Sequence, residues 1–261
     1  MSVELAYQSY GTGPPLVVLH GLFGSARNWQ SNARRLAEFM QVFTVDLRNH
    51  GASPWVESML YEDMADDVRA FSARHLSVPP VLLGHSMGGK AAMTLALRHP
   101  DNVRALIVAD IAPMSYPDRM SGYVAAMQGI DPAAFASRQQ LQARLLDAIA
   151  DAAIAAFLTH NLVRRDNHFD WSFNLPAIAA HLHDIVGFPR ALAALRYTGP
   201  TLFVYGERSD YVRAADHPAI CRLFPNARFV PIADAGHWLH IDQPERLVAS
   251  VRDFLTRARV L

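Results

Sequence analysis

The stretch VLLGHSMGGKAAM, Val81 to Met93, decides how this chain is read. Val81, Leu82, Leu83 and the small Gly84 read as the end of a buried strand. His85 and Ser86 follow, then Gly88, Gly89 and a run of good helix formers. A serine at a sharp strand-to-helix turn, with glycines two residues before and after it, is a nucleophile elbow. The turn strains the backbone and brings it against neighbouring segments, where a side chain would clash. Such a turn lifts a hydroxyl above a sheet and aims N–H groups at the same point. The alternative for the motif alone is a glycine-rich turn that only packs a helix.

Outward from the elbow, strands and helices alternate. Val3–Tyr10, Leu16–His20, Val42–Leu47 and Val103–Asp110 read as strands, with helices over Asn28–Phe39, Tyr61–His75 and Met87–Arg98. His99-Pro100 stops the elbow helix, because proline cannot continue the ladder. From about Ser115 to Tyr197 no buried strand is evident. That stretch is alanine-rich and predicts short helices at Ala133–Ala136, Gln139–Leu158, Leu175–Ile185 and Pro189–Leu195. Alternation resumes with Thr201–Tyr205, Pro218–Phe224, Ala227–Ile232 and Pro244–Ala258. The expectation is an α/β fold, a mostly parallel sheet flanked by helices, formed by residues 1–114 and 197–261. A helical lid, residues 115–196, is inserted over it. Ligands of such sheets bind beyond the carboxyl ends of the strands, where every chemically suggestive loop here lies.

Composition narrows the function classes. The 24 basic and 24 acidic residues cancel, so no global field attracts nucleic acid or an anionic membrane. The single cysteine, Cys221, makes no internal disulfide. No apolar run approaches a membrane span and no secretory leader is evident, so a cytoplasmic protein is the default expectation.

HGLFGS after an early strand, DLRNHGAS after the next, GHSMGG at the elbow and a late GHW together resemble the α/β-hydrolase family. HGLFGSARNW, DIAP, WSFNLP and AGHWLH bring the chain closer to the YbfF-type bacterial esterases, whose members hydrolyse carboxylic esters and in some cases acyl-CoA thioesters. The order and spacing of these motifs carry the resemblance over nearly the whole chain.

A serine hydroxyl needs a base to take its proton, and histidine titrates in the right range. Of 12 histidines, His237 follows the last predicted strand and matches the family's histidine loop; His240 is the nearest rival. His85 and His20 are expected to be structural. His181 and His183 form an H-x-H pair with no third ligand at metal spacing, so no metal is expected. By resemblance, the orienting acid should lie on the third residue past a glycine in the loop after the penultimate strand. In YGERSDYV that residue is Ser209, with Asp210 one place further on. Asp110, in VADIAP, ends a strand expected to lie beside the nucleophile strand, about 4.8 Å away. The resembled subgroup carries an aspartate there and a serine at the Ser209 position. Asp110 is therefore favoured, Asp210 is the alternative, and Ser209 is expected to bond the histidine. The oxyanion donors implied are the N–H groups of Met87 and Leu22, with Phe23 as fallback.

The reaction so read is acyl transfer to water through Ser86, with no cofactor. The substrate is a small-molecule acyl ester, with an acyl-CoA thioester as a further option. Trp238, Phe23 and Trp171 are candidates for the substrate wall, with Phe157, Phe169, Phe173 and Phe188 from the lid. Arg164, Arg165 and Arg190 are candidates for a phosphate-bearing leaving group. The loop from Asp46 to Ser53 is expected to brace the HG loop, and Lys90 to lie on the outer part of the elbow helix. The alternatives are a C–C hydrolase or lyase built on the same triad, and a non-catalytic binding protein.

Overall fold

The computed structural model describes all 261 residues. Seven strands form one sheet: β1 (Tyr7–Tyr10), β2 (Pro15–Leu19), β3 (Gln41–Val45), β4 (Val81–His85), β5 (Ala105–Ala109), and, after a long excursion, β8 (Thr201–Gly206) and β9 (Ala227–Ile232). Their order is β1-β3-β2-β4-β5-β8-β9; only β1 runs antiparallel to its neighbour. This is the expected mostly parallel sheet, with the elbow strand β4 central.

The apolar runs of the central strands are explained by burial on both faces. Leu16, Val18, Leu83, Ile107 and Val204 pack with α1 (Gln30–Leu36) and the last helix (Pro244–Arg257). The alternate residues Val17, Leu19, Leu82, Val108 and Phe203 face the opposite core, with α2 (Tyr61–His75) and α3 (Met87–Arg98). The helix bounds predicted for α2 and α3 match. The first strand is shorter than predicted, beginning at Tyr7 rather than Val3. No helix is long and apolar enough to cross a membrane.

Between β5 and β8 the chain forms α4 (Ser121–Gln128), α5 (Arg138–Ile149), α6 (Ala152–His160), α7 (Leu175–Ala180) and α8 (Leu182–Val186). The single helix expected over Gln139–Leu158 is two. Ala150 adopts a left-handed conformation (φ 56°), and the Asp151 side chain then caps α6 by accepting from the N–H groups of Ala153 and Ile154. The stretch expected to hold short helices and no buried strand also holds a half-exposed hairpin. β6 (Leu162–Arg165) and β7 (His168–Trp171) pair as an antiparallel hairpin across the two-residue turn Asp166-Asn167. Asp166 has φ 50°, as a tight hairpin turn requires. The end of this hairpin is sewn to the loop after β3. Gly51 N–H donates to Ser172 O at 2.6 Å and Asn174 N–H to Asn49 O at 2.8 Å, beside a bridge between His50 and Phe173.

That loop, Asp46 to Ser53, braces the HG loop as expected. Asp46 accepts from Ala26 N–H (2.7 Å) and Ala52 N–H (2.9 Å), and His50 Nε2 accepts from Phe23 N–H (3.3 Å). Arg48, next in the loop, is buried and forks onto buried Asp67 of α2 at 2.6 and 2.9 Å. A buried pair is most costly when one partner is removed. Asp67→Asn is expected to destabilise the fold by about 3–5 kcal/mol, measured as a lower urea midpoint at unchanged m-value.

Candidate functional site

The elbow has the geometry its glycines allow. Ser86 sits between β4 and α3 at φ 52°, ψ −119°, a conformation L-residues rarely adopt. A Cβ on Gly84 would collide with the Gly88 carbonyl, and one on Gly88 would lie 2.5 Å from the carbonyl oxygens of Leu19 and His20. The two glycines let α3 start directly against the ends of β2 and β4.

β4 and β5 pair in register up to His85 and Ala109, so Ser86 and Asp110 stand side by side just beyond the last pair. Ser86 N–H donates to Ala109 O at 3.1 Å. Asp110 is fully buried and also has a positive φ, 54°. Its Oδ2 lies 2.7 Å from Nδ1 of His237 and accepts from Ser209 Oγ at 2.5 Å; its Oδ1 accepts from Gly206 N–H at 3.1 Å. Ser209 therefore bonds the aspartate rather than the histidine. Asp210 is exposed and has no place in this network. The His237 ring stacks on Tyr211, centroids 4.1 Å apart, and its carbonyl accepts from His85 Nε2 at 2.8 Å. His85 thus ties the residue before Ser86 to the histidine loop. His240 is buried, stacked on Trp29 at 4.5 Å, and makes no hydrogen bond to Asp110.

Ser86 and His237 line one cavity of about 370 Å³, most of its named walls apolar. No hydrogen bond joins Ser86 Oγ to the ring; such contacts are often long before substrate binds. Leu22 and Met87 line the same cavity, and neither amide is taken by a backbone partner. The N–H of Phe23 is spent on His50, although its ring lies on the wall. Trp238 and Phe157 are wall residues, packed together at 5.3 Å. Trp171 is not: it is buried against Phe173, as part of the hairpin's packing on the core. Phe169, Phe173 and Phe188 are likewise absent from the wall, as are Arg164, Arg165 and Arg190. Arg165 instead pairs with Asp170 at 3.0 Å and covers the Trp55 ring. Arg119, at the exposed rim, is the arginine that does line the cavity.

Lys90 corrects the expectation most sharply. It is 2% exposed, not on the outer part of α3, and its Nζ donates to three carbonyls after α8 begins to end: Ile185 (3.3 Å), Val186 (2.9 Å) and Gly187 (2.6 Å). Burial pulls its pKa from 10.5 to about 7. A helix C-terminus acts the other way, favouring the cation. The signal available in the sequence was a lone charge within MGGKAAMTLAL, otherwise a helix without a polar face.

The alpha/beta hydrolase fold family model matches residues 14–244, and the chain belongs to that family. It is 40% identical to the sn-1-specific diacylglycerol lipase ABHD11 of Mus musculus over 253 residues, 94% of this chain and 81% of the relative. Esterase YbfF of Escherichia coli (strain K12) is 34% identical over 250 residues, 95% of each chain. A solved structure described as a marine microorganism esterase matches with a TM-score of 0.93 at 38% identity, covering 97% of this chain and 100% of that one. The chain is a hydrolase of the esterase/lipase type.

The buried histidines around the site set a stability prediction. Burial pulls His20 to a pKa of about 4, and His50 and His240 to about 3, from an ordinary 6.5. As pH falls, the unfolded chain takes up these protons first. Their stabilisation is complete above pH 6.5 and is lost as pH falls toward the folded pKa values. Each ring costs about 1.4 kcal/mol per pH unit over that range. The melting temperature is expected to fall steeply between about pH 6 and pH 4; a flat profile there would show that the folded protein accommodates the charged rings.

Proposed function

We propose that Ser86 is the nucleophile, His237 the general base and Asp110 the acid of an ester hydrolase acting through an acyl-enzyme. The observation that carries this reading is the convergence of His237 Nδ1 and Ser209 Oγ on Asp110 Oδ2, beside a cavity shared by His237 and Ser86. Asp110 holds the imidazole with Nε2 free to accept the serine proton and stabilises the imidazolium that forms. Ser86 Oγ attacks the ester carbonyl; the negative oxygen is held by the N–H groups of Leu22 and Met87. The alcohol leaves with the proton from His237. Water then attacks the acyl-enzyme with His237 again as base, releasing the acid and restoring Ser86. Ser209 supports the carboxylate, and the 115–196 segment serves as the lid that encloses the acyl group.

The apolar wall of Trp238, Phe157, Ile154 and Met120 favours esters with an apolar acyl chain. The diacylglycerol lipase and esterase relatives support the same substrate class. Acyl-CoA thioesters are a finer reading that rests on less, since Arg164, Arg165 and Arg190 lie off the cavity.

Asp110→Asn is expected to lower kcat by about 10⁴-fold, while Asp210→Asn stays near wild type; the reverse pattern reassigns the acid. In a matched panel of simple esters and acyl-CoA thioesters, ester turnover is expected to dominate and to vanish in Ser86→Ala. Equal turnover by wild type and Ser86→Ala would remove the nucleophile assignment.

A further inference from the structure

The proposed mechanism leaves a buried cation beside the nucleophile without a task. Lys90 lies four residues after Ser86, one helical turn along α3, and its backbone N–H donates to Ser86 O at 3.1 Å. Its side chain lines the reaction cavity, yet its three ammonium protons are already directed at three carbonyls of the chain. A saturated ammonium has no proton left for a substrate carboxylate or phosphate. Its action is therefore on the segment it holds.

That segment carries two pieces of the cavity wall, Ile185 and Val186. Three separate stretches of the chain converge on it. Tyr61, the first residue of α2, donates its hydroxyl to Ile185 O at 2.6 Å. Tyr116, just beyond β5, donates its N–H to Val186 O at 3.0 Å. Lys90 bonds both of those carbonyls and Gly187 O, with the Tyr61 and Tyr116 rings 5.8 and 5.0 Å from its ammonium. α8 has only five residues, too few to hold its own position by helix propensity. Its place over Ser86 comes from this clasp and from apolar packing.

We propose that Lys90 is a positioning residue that determines acyl-chain specificity, clamping Ile185 and Val186 as a fixed wall of the pocket occupied by the acyl group. The inference rests on the esterase reading of that pocket. A fixed wall discriminates chain lengths because each methylene either fits or is excluded; a loosened wall accepts several lengths alike.

The test is kcat/KM for p-nitrophenyl acetate, butyrate, octanoate and dodecanoate, with wild type, Lys90→Met and Tyr61→Phe. Lys90→Met keeps the length of the stem and removes the charge. The ratio between the best and worst chain lengths is expected to shrink by about fivefold or more in Lys90→Met, and in the same direction but less in Tyr61→Phe. A loss of equal proportion for every ester, or no change, would overturn the proposal, since a purely structural lysine alters the amount of folded enzyme and not its preference. If Lys90→Met does not fold, Tyr61→Phe carries the comparison: a changed preference supports the clamp and an unchanged one overturns it. Labelling of Ser86 by a fluorophosphonate separates the two readings. A labelled wild type with an unchanged preference in the variants defeats the clamp alone; an unlabelled wild type defeats the esterase reading and the clamp with it.

Discussion

A carboxylate with no solvent exposure needs donors to answer its charge, and Asp110 has three: the Ser209 hydroxyl, the Gly206 amide and the His237 ring. Burial without them would strongly disfavour the ionised form. Each donor comes from a different stretch: the end of β8, the loop after it, and the loop after β9. One oxygen pair thus gathers the carboxyl ends of three adjacent strands. The register of β4 against β5 then puts Ser86 next to the gathering point. The same carboxylate's left-handed φ turns it toward these donors, much as the elbow's strained φ turns Ser86 toward the cavity.

The fold was legible because its evidence is periodic and repeated. Short continuous apolar runs at β2, β4, β5 and β8, bounded by turn signals, fit strands covered on both faces, and the bounds of α2 and α3 followed from proline and spacing. The placement of Ser86 and His237 on one cavity was legible because they follow strand ends in short motifs. Ser209's role was half legible: its place in the chain marked it as a neighbour of the site, but whether a hydroxyl bonds the base or the acid depends on an ångström of loop placement. Lys90 was misread because helix periodicity counts a lysine as a surface residue. Nothing local says that three carbonyls, 95 to 97 residues further on, will arrive above it. The β6–β7 hairpin was missed for the opposite reason. Its strands are short and half exposed, so the Asp166-Asn167 turn was their one strong signal.

The segment between β5 and β8 makes its polar bonds to the rest of the chain at its start, through Asp110 and Tyr116, and then only from residue 161 onward. One group joins residues 161–174 to the loops after β2 and β3, through Asn161, Ser172 and Asn174. Another is the pair of bonds from Tyr61 and Lys90 to residues 185–187, to which Tyr116 adds a bond from within the segment. From residue 117 to 160, every hydrogen bond stays within the segment, and outward contact is apolar, as where Phe157 meets Trp238. Apolar contacts tolerate substitution if volume is kept; directional bonds do not. Residues 117–160 are accordingly held to the core by packing alone. A swap of α4 to α6 between relatives, with crossovers after Tyr116 and within residues 161–174, would change the mouth of the cavity while leaving each directional bond to the core in place.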